Sequence, residues 1–166
     1  MRLLRSCTEL LQWRRAQSCA PLHFVPTMGA LHPGHQSLIA RAARLQAGVR
    51  PQVLVSVFVN PLQFGPTEDF ERYPRNLQRD GELAEAAGAD ALFAPSIADL
   101  YPAGESELTS ISPPQSLQAG LCGRHRPGHF NGVATVVVRL LGLIRPSHVL
   151  LGEKEEEILL AMSGLP

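Results

Sequence analysis

The chain has 166 residues, 45% of them apolar and 18% charged, with a formal net charge of zero. That length is enough for one compact domain with its own core, and the charge balance excludes bulk attraction to nucleic acid or to a membrane surface. No apolar run reaches the roughly 18 residues of a membrane span, so any anion site must be built locally.

The first 20 residues carry Arg2, Arg5, Arg14 and Arg15 against a single acid, Glu9. Such a bias has a flavour of organelle targeting. Leu3, Leu4, Leu10, Leu11 and Trp13 fit better as one amphipathic helix packed on a domain. Residues 22–26 then predict a short strand, and 33–47 a helix with Leu38, Ile39, Ala42, Ala43 and Leu45 as its apolar stripe. Residues 53–59 (VLVSVFV), between Pro51 and Pro61, have the composition of a strand buried on both faces. Residues 75–87 predict a helix closed by Gly88, 91–94 a buried strand and 108–112 a further strand. Residues 130–144 form a long apolar helix stopped before Pro146, and 148–151 a last strand followed by Gly152 and an acidic helix start.

Alternation of strands with helices predicts an α/β domain: a Rossmann-like open parallel sheet with helices on both faces. Ligands in such sheets bind beyond the carboxyl ends of the strands, at a topological switch point. Cys7, Cys19 and Cys122 are odd in number, far apart and without C-x-x-C pairing. That argues against a disulfide framework or a zinc site and fits a reducing cytoplasm.

Pro26-Thr27-Met28-Gly29-Ala30-Leu31-His32-Pro33-Gly34-His35 follows the first predicted strand and opens a helix. The glycines admit close approach of a ligand, Pro33 suits the first turn, and the unpaired N–H groups of a helix start attract phosphate. His32 and His35 can donate hydrogen bonds to a phosphate chain as charge builds on it. Alone, an H-x-x-H is equally a capping turn with two surface histidines, and neither a carboxylate nor a cysteine stands beside it to complete a metal site.

Four more segments stand at the ends of predicted elements. Phe58-Val59-Asn60-Pro61-Leu62-Gln63-Phe64-Gly65 puts two amides in an apolar frame, suited to orienting a hydroxy acid or to capping a turn. Asp69 to Arg75 (DFERYPR) reads as a helix-entry turn, with Tyr73 at a pocket edge. Gly123 to Val133 (GRHRPGHFNGV) gathers His125 and His129 with two arginines before a helix start. Gly152-Glu153-Lys154 carries the chain's only lysine, placed to set a point charge on phosphate.

The first segment resembles the HIGH-type nucleotidyl-transfer superfamily. Its wider form, Val25 to Leu38, together with F-V-N-P-L-Q-F and R-P-G-H-F-N-G-V, is similar to the pantothenate synthetase family. Pro33 stands where that family usually has a polar residue. The resemblance implies ATP-dependent joining of pantoate to β-alanine through a pantoyl-adenylate, with Mg2+. It implies ATP contacts from Pro26, Met28, Gly29, His32, His35, Gly152 and Lys154. Catalytic charge stabilisation would come from His32, His35 and Lys154, and pantoate contacts from Gln63, Asn60 and His129. It also implies a homodimer in the cytoplasm, with neither nucleic acid nor membrane as partner and no metal ligands from the protein. His125 carries no such implication and reads as a surface residue.

The resemblance covers residues 20–154 of a single nucleotide-binding domain spanning 1–166; residues 155–166 diverge. Glu155 keeps an acid where the family has aspartate, but Ile158 stands where a pantoate-binding glutamine is expected. The family's smaller closing domain would follow, so impaired turnover by this chain alone is expected. The alternatives are a non-catalytic ligand-binding or dimer-forming remnant, and another HIGH-type nucleotidyltransferase.

Overall fold

The computed structural model describes residues 1–17, 20–45, 48–65, 70–104, 107–114 and 126–152. Its centre is a parallel sheet of β1 (Arg2–Leu4), β2 (Leu22–Thr27), β3 (Gln52–Val57), β4 (Ala91–Phe93) and β5 (His148–Val149), in the order β1-β4-β3-β2-β5. The helices are α1 (Cys7–Ala16), α2 (Pro33–Arg44), α3 (Leu77–Ala87), the single turn α4 (Ile97–Leu100) and α5 (His129–Ile144).

The two-residue alternation of strands sorts their side chains into two cores. Leu22, Phe24, Leu54, Ala91 and Phe93 pack with Leu10 of α1 and with Val133, Val136, Val137 and Leu140 of α5. Val25, Val53, Val55 and Leu92 pack on the other face with Ile39 and Ala42 of α2 and Ala84 of α3. The doubly covered sheet is the predicted architecture, and it explains why residues 53–55 carry no polar alternation.

Two predicted elements differ. The amino-terminal helix is split: Arg2–Leu4 is an edge strand paired with Ala91–Phe93. The helix begins only after Ser6, whose hydroxyl accepts from Glu9 N at 3.2 Å. Residues 108–112 form no strand. Ile111 N instead donates to Thr135 Oγ1 of α5 at 2.9 Å, so the segment lies along the helix and not in the sheet.

From β2 the chain steps through β3 to β4 in one direction. It then returns through α5 to place β5 on the opposite side of β2. The sheet's switch point therefore lies between β2 and β5. The turn from Thr27 to His35 leaves one of these strands, and Gly152 follows the other.

Candidate active site

The turn after β2 is held by side chains at every step. Thr27 Oγ1 donates to Ser56 O at 2.6 Å and accepts from Gly29 N at 3.1 Å. Gly29 and Ala30 follow with φ of 88° and 51°, both left-handed. The buried carboxylate of Asp80, from α3, accepts from Ala30 N at 3.1 Å and from Leu31 N at 2.8 Å. His32 then caps α2: its Nδ1 accepts from Gly34 N at 3.1 Å, while His32 N donates to His35 Nδ1 at 3.4 Å.

This corrects one expectation. The helix start is not an open cradle of unpaired N–H groups, because those of Gly29, Ala30, Leu31, His32 and Gly34 already have internal acceptors. The free hydrogen-bonding positions of the turn are instead the outer nitrogens of the two imidazoles. In each neutral ring Nδ1 accepts a backbone hydrogen bond, so the proton sits on Nε2. Two N–H donors are thus presented by rings whose centroids are 4.0 Å apart. Capping uses Nδ1 of each ring and leaves Nε2 out of the turn's own hydrogen bonds.

Burial, then the neighbouring His32, hold His35 below the ordinary histidine value of 6.5; Asp80 pulls the other way. The folded chain therefore binds fewer protons than the unfolded one as pH falls through 6.5. Unfolding free energy rises with pH in that window, so stability is expected to fall as pH is lowered through the ordinary histidine value. Denaturant midpoints across that range should show the drop, and a His35→Gln variant should flatten it.

The segment after β3 builds the second half. Pro61–Gln63 forms one 3-10 turn capped by Asn60, which is 1% exposed. Asn60 Oδ1 accepts from Leu62 N at 3.3 Å and from Tyr101 OH at 2.8 Å. Asn60 Nδ2 donates to Gly132 O at 3.1 Å and to Gln63 Oε1 at 3.3 Å. All four hydrogen-bonding positions of this amide are filled. Asn60 therefore fixes the segment after β3 in place, with no hydrogen-bonding position left over. Its polarity is fixed by a backbone donor at one end and a backbone acceptor at the other. That turns the Gln63 amide so that Nε2 faces Met28 Sδ, 2.9 Å away. The turn bearing the histidines and the amide segment meet at this contact.

His129 stands behind Gln63. Its Nδ1 lies 2.8 Å from Gln63 O and its Nε2 lies 3.1 Å from Arg126 Nη1. A carbonyl only accepts and a guanidinium only donates, so Nδ1 carries the ring proton. The His129 ring supports the Gln63 backbone through one nitrogen and Arg126 through the other. Gly132, one helical turn on, lets α5 touch the 3-10 turn: a Cβ there would lie 2.7 Å from Gln63 N.

Beside Met28 opens a cleft of about 330 Å3, lined by Val57, Phe58 and Val59 at the end of β3 and by Ala94 and Pro95 beyond β4. Phe70, Pro74 and Asp80 also line it. Tyr73 packs edge-on to Phe64 with centroids 5.9 Å apart. Burial and then Asp80 raise its phenol above the ordinary value. Pro26 is half-buried at the end of β2, and Gly152 half-buried beyond β5. Lys154, Asp69, His125, Glu155 and Ile158 lie outside the described residues.

Among the described residues no group of three His, Cys, Asp or Glu side chains converges as a metal cage. Sequence reasoning missed Asp80 and Tyr101 as parts of the site; Arg126 and Gly132 stood inside the R-P-G-H-F-N-G-V segment but were given no role of their own.

Residues 2–164 match the family model described as Pantoate-beta-alanine ligase. The chain is 59% identical over 152 residues to a bifunctional pantoate ligase/cytidylate kinase of Synechococcus sp. (strain RCC307), covering 92% of this chain and 29% of that protein. It is 55% identical over 157 residues to the protein of that description from Prochlorococcus marinus (strain MIT 9313), covering 93% and 30%. Among solved structures, pantothenate synthetase from Thermus thermophilus superposes with a TM-score of 0.85 at 45% identity, over 98% of this chain and 56% of that one. The pantoate-beta-alanine ligase from Francisella tularensis, complexed with beta-gamma ATP and beta-alanine, gives 0.88 at 38%, over 98% and 60%. The chain thus spans less than a third of the bifunctional relatives and somewhat more than half of the solved chains.

Proposed function

Because the chain belongs to the pantoate-beta-alanine ligase family, we propose that it activates pantoate with ATP and supplies the acyl-adenylate to β-alanine. The observation that carries this reading is the contact of Gln63 Nε2 with Met28 Sδ at 2.9 Å, which joins an amide donor to the turn of the two histidines. A carboxylate held at Gln63 lies beside a phosphate chain held at His32 and His35.

The pantoate carboxylate attacks the α-phosphorus, an acyl O–P bond forms, and the bond to the bridging oxygen breaks to release pyrophosphate. The Nε2–H groups of His32 and His35 stabilise the charge that builds on the leaving phosphates. Phosphoryl-type transfer depends mainly on such positioning and electrostatics. The amine of β-alanine then attacks the acyl carbon, and AMP departs with the former carboxylate oxygen. Mg2+ would enter with ATP and neutralise phosphate charge. Pro26, Met28 and Gly29 would line the nucleotide side, with Gly152 and Lys154 across the switch point. Gln63 would grip pantoate directly, Asn60 and His129 by holding Gln63. The reading includes a cytoplasmic homodimer. Among the described residues no helix is long and apolar enough to cross a membrane.

The decisive assay is AMP release by the purified chain with and without each acid. Release that requires both pantoate and β-alanine supports the proposal; release indifferent to pantoate sinks it. Binding of pantoate and MgATP with no AMP would identify a ligand-binding unit instead. In calorimetry with pantoate alone, Gln63→Ala is expected to weaken binding by about tenfold or more, the loss of one charge-assisted hydrogen bond. Unchanged affinity would mean that pantoate binds elsewhere.

A further inference from the structure

Asp80 belongs to none of the motifs read from the sequence, yet only 2% of its surface is exposed. Among the described residues no Arg, Lys or His lies within ion-pair distance of its carboxylate. Taking a carboxylate out of water is costly unless hydrogen bonds replace its hydration. Here the replacements are Ala30 N and Leu31 N. These donors stand immediately before His32, and Asp80 reaches them from 50 positions further along the chain.

The turn needs such an outside hold. Ala30 keeps φ at 51°, a conformation that non-glycine residues adopt at some cost. Gly29 is shaped to admit the carboxylate, since a Cβ there would lie 3.0 Å from Asp80 Oδ2. The charged and titratable groups acting on His35 are His32, from its own helix, and Asp80, from α3.

We propose that Asp80 is a positioning residue for the ATP-using step: by gripping the backbone of Ala30 and Leu31 it aims the Nε2–H groups of His32 and His35 at the phosphate chain. This rests on the function proposed above. Asp80 acts through the turn, since each of its carboxylate oxygens accepts a backbone N–H from it.

Asp80→Asn keeps the shape but offers one acceptor and one amino group, so one of the two backbone donors loses its partner. Calorimetry on the whole chain is expected to show MgATP affinity falling about tenfold, as for one lost charge-assisted hydrogen bond. Nitrogen-15 spectra of the His35 ring are expected to change from a single Nε2–H tautomer to a mixture. A lower unfolding midpoint with affinity and tautomer unchanged would overturn the proposal and leave Asp80 a purely structural residue. If Asp80→Asn does not fold, Asp80→Glu takes its place; it keeps the charge and displaces the carboxylate by one methylene. The same two changes are expected of it, and their absence is equally fatal. Failure of the unsubstituted chain to bind MgATP would refute the functional reading instead. The ring spectra, which need no nucleotide, would still decide whether Asp80 orients His35.

Discussion

Gly132→Ala is expected to abolish the pantoate binding proposed for Gln63 and to lower stability by about 3 kcal/mol, the upper range for overpacking a close contact. The added methyl group would fall inside the carbonyl of Leu62 and 2.7 Å from Gln63 N. These are backbone atoms and cannot rotate away. Either α5 retreats or the 3-10 turn does, and each movement breaks the Asn60 Nδ2 bond to Gly132 O. The Gln63 amide then loses the neighbour that fixes its polarity. Thermal unfolding should register the strain, and pantoate calorimetry the loss of the site. A variant with native stability and native pantoate affinity would show that α5 and the turn part more easily than their packing implies. Gly142, on the same helix, has no atom within 4 Å of a Cβ built there. Gly142→Ala therefore controls for a general effect of alanine in α5.

Loss of the imidazole at position 35 should be as large in rate. His35→Ala is expected to slow AMP release by about 10²–10³-fold, the usual consequence of removing one preorganised donor to developing charge. The effect should fall on kcat more than on the KM for ATP, because charge on the bridging oxygen appears only as the bond breaks. The ring also accepts from His32 N, so its removal leaves one end of the capping arrangement unmade. His35→Gln separates the two roles, since its amide can still donate toward phosphate. Partial recovery of kcat in the glutamine variant is the expected outcome. Equal rates for the unsubstituted chain and His35→Ala would remove His35 from the mechanism.

The central part of the fold was legible because strands buried on both faces leave continuous apolar runs. Val53, Leu54 and Val55, between two prolines, could hardly be anything else. β1 was not legible. A strand of only Arg2–Leu4, in a segment rich in Leu and Arg, reads as the start of the helix that follows it. Its identity depends on pairing with Ala91–Phe93, which local pattern does not encode. Residues 108–112 misled in the opposite sense. Their composition suits a strand, but the free backbone donor of Ile111 found a threonine on α5 before it found a sheet edge.

In the site, the sequence supplied residue types and order but not direction. His32, His35, Asn60 and Gln63 stand out because they follow strands. Nothing in the sequence says that the helix-start N–H groups are already taken, or that Asn60 is saturated. Those facts depend on Asp80 and Tyr101, which come from other elements and match no local pattern, and on the carbonyl of Gly132, whose segment stands out but whose partner does not.

The saturation of Asn60 also bears on how quickly a ligand is captured. Its four bonds tie together the 3-10 turn, Tyr101 after α4, and α5. The wall they build exists before any ligand arrives, and the conformational entropy of ordering it is lost during folding, not during binding. An acid bound as proposed would therefore find the Asn60 bonds already made. Under the proposed function, its rate of capture is expected to follow the frequency of correctly oriented collisions, and its residence time the contacts made after landing.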